Sequence, residues 1–65
     1  MFEISLDAGK EQIFLDSLNK AIVKFTESVA TMGNDVVDLY DIQGNRMVRW
    51  VRQYGFYIGN NSIKM

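Results

Sequence analysis

The chain opens on a two-residue alternation. In "FEISL", Phe2, Ile4 and Leu6 fall on one side and Glu3 and Ser5 on the other, the period of a strand with one buried face. The period then lengthens: Phe14, Leu18, Ala21, Ile22, Phe25, Val29 and Met32 recur three and four apart, with Lys10, Lys20, Lys24 and Glu27 between them. This spacing predicts one amphipathic helix over residues 10–32, with Phe14, Leu18, Ile22, Phe25 and Val29 buried. Asp7 is expected to cap its start, Glu11 and Asp16 lie toward the positive end of its dipole, and Gly33, Asn34 and Asp35 end it.

"VVDLYDI", from Val36 to Ile42, is rich in β-branched and aromatic residues and reads as a second strand, with "QGN" as a turn after it. Two readings compete for the following "RMVRWVRQY". Gly44 and Asn45 could close a hairpin, but each face of the second strand would then mix arginine with apolar groups. On a helix over residues 46–54, Met47, Trp50, Val51 and Tyr54 share one stripe and leave Arg49, Arg52 and Gln53 more exposed. The helix is the favoured reading. Gly55 would stop it, "FYI" would form a last strand, and "GNNS" would turn before a frayed "IKM". The predicted fold is therefore one α+β domain with α/β character over residues 1–65, in the order β-α-β-α-β, whose strand-helix-strand step implies a parallel pair.

Composition narrows the chemistry. The 65 residues include no cysteine and no histidine, which removes thiol catalysis, a disulfide framework, the commonest general base and most zinc sites. No apolar run approaches the roughly 18 residues of a membrane span, and the start "MFEISLDAGKEQ" lacks the pattern of a signal peptide. A cytoplasmic location is expected. Charge is unevenly placed: residues 1–41 hold eight acids and three lysines, and residues 42–65 hold Arg46, Arg49, Arg52 and Lys64 with no acid. That division suits attraction within the chain or a basic contact surface.

"VRWVRQYGF" resembles a pattern that closes the short helix of GNAT-type acetyltransferases, particularly the acetyltransferase-like internal virion proteins of short-tailed phages. In that comparison "VVDLYD" stands for the strand before the helix, and "AGKEQIFLDSLNKAI" for the loop and helix that precede it. The resemblance covers only the C-terminal half of the family fold. It implies a phage-related, virion-associated or host-interaction protein, in the virion or the host cytoplasm. No cofactor is expected; the family's acetyl-CoA is the alternative, with Gly9, Lys10 and Asn45 as the residues that the resemblance would place against it. The departures bear on activity: of the family's glycine-rich phosphate loop only "AGK" is present, Val51 stands where many family enzymes have a tyrosine acid, and the resemblance does not reach the half that builds the acceptor pocket.

No catalytic or metal-binding constellation emerges from the residues. The expectation is a non-catalytic protein-binding or assembly module with a degenerate half-acetyltransferase fold. It would act on a protein partner or as a homo-oligomer, through Arg49, Trp50, Arg52, Tyr54 and Tyr57, residue types that anchor interfaces. Trp50 and Tyr54 are equally compatible with a place in the core. The alternative is an acetyl-CoA-dependent acyltransferase completed by a partner or by self-association. Four cations without a recognised motif make nucleic acid the weaker partner class.

Overall fold

A computed structural model describes residues 1–31 and 33–58. They form a five-stranded antiparallel sheet with one helix on one face. The order along the chain is β1 (Phe2–Leu6), β2 (Glu11–Leu15), α1 (Leu18–Ala30), β3 (Val36–Tyr40), β4 (Arg46–Val51) and β5 (Gly55–Ile58). Across the sheet the order is β2-β1-β3-β4-β5. The β-α-β-α-β order expected above is thus corrected to β-β-α-β-β-β. The parallel pair expected of Phe2–Leu6 and the strand from Val36 is corrected too: β1 and β3 are antiparallel neighbours, and α1 joins β2 to β3, which flank β1.

The first correction lies in residues 10–15, where Lys10 closes a turn and Glu11–Leu15 form a strand, not the first turns of a helix. Phe2 pairs with Leu15 and Ile4 with Ile13, placing Ile13 and Leu15 beside the β1 core residues and Gln12 and Phe14 on the other face. Phe14, expected in the core, is 56% exposed. The helix begins where Ser17 accepts a hydrogen bond from the Lys20 amide at 3.2 Å, satisfying one of the donors that a helix start leaves unpaired. Asp7 caps no helix. Its Oδ1 accepts the Asp35 and Val36 amides at 2.8 and 3.3 Å, tying the end of β1 to the start of β3. At the other end of α1, Thr31 is extended and donates its amide to the Glu27 carbonyl, and the Asn34 side chain caps the Ser28 carbonyl at 3.1 Å. Met32, the last member of the predicted stripe, lies outside the described residues.

The second correction is residues 46–54. They are β4 and the turn after it, so the hairpin reading holds and the short helix does not. Asp41 organises the β3–β4 turn: its Oδ1 accepts the Gln43 and Asn45 amides, both at 2.9 Å, and its carbonyl accepts the Gly44 amide. Gly44 takes φ 86°, which the last position of this short hairpin loop requires and a side chain resists. Gly55, expected to stop a helix, turns β4 into β5 at φ 97°. The mixed faces that argued against a strand are resolved in two ways. A register shift at Leu39/Tyr40, opposite Arg46 and Val48, lets Met47 join Val48 in packing against the core. Arg49, on the other face, lies directly across from Asp38. The "GNNS" turn and "IKM" lie outside the described residues.

The core lies between α1 and the sheet. Ile4, Leu6, Ala21, Phe25, Val37 and Leu39 form it, with Phe2, Ile13, Leu15, Val29, Met47, Val48 and Trp50 packed around them. The helix turns Ala21, Phe25 and Ser28 inward, and the two small residues let its backbone approach the sheet closely. Leu18 and Ile22, placed in the core by periodicity, are 41% and 48% exposed. Helix α1 lies over β2, β1 and β3 and reaches β5 through the Phe25 and Phe56 rings, whose centroids are 6.4 Å apart. Nothing among the described residues covers the opposite face of the sheet. No described helix is long and apolar enough to cross a membrane.

Candidate functional site

The uncovered face is assembled by register. Because Ile4, Leu39 and Val48 point toward the helix side, their neighbours along each strand point away. Two cross-strand rows result. One runs Gln12, Ser5, Asp38, Arg49, Tyr57 from β2 to β5, and the other runs Phe14, Glu3, Tyr40, Arg46 from β2 to β4.

Asp38 lies at the centre. On the middle strand, on the face that no other described element covers, its carboxylate is almost fully buried, at 1% exposure. The Arg49 guanidinium covers it with a forked contact: Nε donates to Oδ1 at 2.7 Å and Nη2 to Oδ2 at 3.2 Å. This two-point geometry is the strong form of the pair. The bond to Asp38 raises the Arg49 pKa above its ordinary value, outweighing partial desolvation. Arg49 therefore keeps its charge opposite the Asp38 carboxylate. The cost of the pair is the desolvation of Asp38; in return the long Arg49 side chain, still 37% exposed, is held in one orientation. An arginine fixed in this way has little rotamer entropy left to lose when a partner arrives.

Beside the pair, Arg46, Arg49, Val51 and Tyr57 line an open depression of about 330 Å³. The face is thus asymmetric. Its β2–β1 side offers Phe14, Gln12 and Glu3, and its β4–β5 side offers Arg46, Arg49 and Tyr57, with Asp38 and Tyr40 between them.

The residues singled out in the sequence are dispersed by this fold. Arg49 and Tyr57 share the uncovered face and pair with each other across β4 and β5. Trp50 faces the other way, half-buried against the core. Arg52 belongs to the β4–β5 turn, where Nε donates to Asp35 Oδ1 at 3.0 Å and Nη2 to the Asn34 carbonyl at 2.6 Å, so it clamps the entry to β3. Tyr54 lies in the same turn and is 57% exposed. Gly9 and Lys10 belong to the β1–β2 turn, and Asn45 to the β3–β4 turn. The pairings of Leu6 with Val37 and of Glu3 with Tyr40 put these turns at opposite ends of the sheet, about 15 Å apart along a five-residue strand. The helix start that would have supplied phosphate-binding amides next to Gly9 is at Leu18 instead. Among the described residues, no group of three or more acidic, histidine or cysteine side chains is placed to hold a metal.

Glu3 and Tyr40 were not singled out in the sequence, Phe14 was expected in the core, and Arg46 was named only among the four cations of residues 42–65. The signal for Asp38 was available, because centring a hairpin on Gln43 and Gly44 puts it opposite Arg49. The domain these observations define is a small two-layer α+β sandwich with a polar, aromatic open sheet face. No family model matches the chain, and neither does any curated protein or solved structure.

Proposed function

We propose that this chain is a non-catalytic protein-binding module that assembles through the open face of its sheet. The observation that carries the reading is the buried Asp38–Arg49 pair on a face that no other described element covers. A charged pair of this kind adds little to stability compared with apolar packing, whereas an arginine preset beside tyrosines is a suitable contact group. Tyr40, Tyr57 and Phe14 supply apolar area around it. A protein partner is favoured over nucleic acid by charge: Glu3 and Asp38 balance Arg46 and Arg49 on this face, and a surface without net positive charge lacks the counterion-release term that dominates nucleic-acid binding.

The acyltransferase alternative needs Gly9, Lys10 and Asn45 to meet around one cofactor, and the register separates them. Calorimetric titration with acetyl-CoA is expected to give no heat of binding. In the same preparation, Tyr57→Ala should weaken the complex with a macromolecular partner by about 2 kcal/mol, and Tyr54→Ala, off the face, by less than about 0.5 kcal/mol. Acetyl-CoA binding at micromolar concentration together with acetyl transfer to an amine would overturn the proposal.

A further inference from the structure

We infer that the open face receives a second copy of this chain, the two sheets stacking face to face about a twofold axis parallel to the strands. The inference rests on the binding-module reading and adds the identity of the partner. Its basis is the lateral asymmetry of the face. Glu3 and Phe14 lie on the β1–β2 side of β3, and Arg46, Arg49 and Tyr57 on the β4–β5 side.

A twofold axis running along β3 between the sheets exchanges left for right and keeps each cross-strand row at its own height. Glu3 and Arg46 are both aligned with Tyr40 in one row, so Glu3 of each copy comes over Arg46 of the other. Phe14, at the outer end of that row and 56% exposed, comes over the rim of the depression lined by Arg46, Arg49, Val51 and Tyr57. A ring against guanidinium groups is a favourable contact. In the other row Gln12 meets Tyr57, Arg49 lies over the buried Ser5, and the two Asp38–Arg49 pairs come together at the axis. A twofold axis perpendicular to the strands would instead put β2 over β2 and β4 over β4, bringing Arg46 and Arg49 toward their own copies; charge selects against it.

The stacked arrangement suits the Asp38–Arg49 pair, because each carboxylate enters the interface already neutralised by its own arginine and no unpaired charge is buried. Sheets stacked at about 10 Å also give this face the second layer that no described element supplies. The interface is isologous and electrostatically steered, so it weakens with salt.

The test is sedimentation of the full chain with a charge exchange. The wild type is expected to dimerise with a Kd on the order of 10 µM in about 50 mM salt. Glu3→Arg and Arg46→Glu alone should each weaken the dimer at least about tenfold, and the double variant should recover most of the loss, because it restores the opposite pair across the axis. Circular dichroism of each variant confirms that the fold is kept. A wild type that is monomeric at about 100 µM, or single reversals that leave the dimer unchanged, overturn the second-copy inference. The first of these results leaves the module reading standing if a different protein maps to the same face. A double variant no better than either single one also overturns the inference, since it would place Glu3 and Arg46 out of each other's reach.

Discussion

Asp38 shows how one residue can be placed by a neighbour distant in sequence. An isolated carboxylate with 1% exposure would carry a desolvation penalty of several kcal/mol; Arg49 offsets it from the adjacent strand, and the result is a neutral unit at the centre of the open face. Removing one partner should therefore cost more than removing both. Arg49→Ala is expected to destabilise the fold by about 2 kcal/mol, below the usual range for fully buried pairs because the guanidinium is partly solvated. The double variant Asp38→Val/Arg49→Val should lie within about 1 kcal/mol of the wild type, measured by urea denaturation. A double variant less stable than Arg49→Ala would contradict this account of the pair. Asp7 works differently. Its pKa is lowered chiefly by the hydrogen bond from the Asp35 amide, with a second from the Val36 amide. A depressed folded-state pKa means that its contribution is complete above the ordinary aspartate value of about 3.9 and is lost as the pH falls through the lower folded value. Asp7→Asn should accordingly flatten the loss of stability below about pH 4, read from thermal melts across that range; an unchanged acid limb would show that the latch does not titrate.

At the level of elements, the sequence was most legible where one pattern had one explanation. Phe2–Leu6 alternates cleanly and is β1, Val36–Tyr40 is β3, and Gly44 stands in the turn expected there. The failures share one cause. In "EQIFLDSL" the period of two for Ile13 and Leu15 overlaps the period of four for Phe14 and Leu18, and only the pairing of β2 with β1 decides between them. The same tertiary choice set β4, whose arginines looked misplaced on a strand until Asp38 stood across from Arg49. The acetyltransferase resemblance rested largely on a helix in that region, and it loses that support. The orientation of α1 is a further test. Phe25→Ala should cost about 3–5 kcal/mol, because the ring is buried, whereas Ile22→Ala, on a 48% exposed side chain, should cost less than about 1 kcal/mol. Equal costs in chemical denaturation would mean that the helix presents a different stripe.

At the scale of the molecule, the described residues place one helix on one side of a five-stranded sheet and leave a polar, aromatic face on the other. Assembly through that surface is the central claim, and the chain's three tyrosines report on it directly. Tyr40 and Tyr57 belong to the open face, and Tyr54 lies in the β4–β5 turn. Hydroxyl-radical footprinting of the assembled and the dilute chain would measure all three in one sample. The account predicts that Tyr40 and Tyr57 become several-fold less reactive on assembly while Tyr54 is unchanged; protection of Tyr54 with Tyr40 and Tyr57 left fully reactive would contradict it.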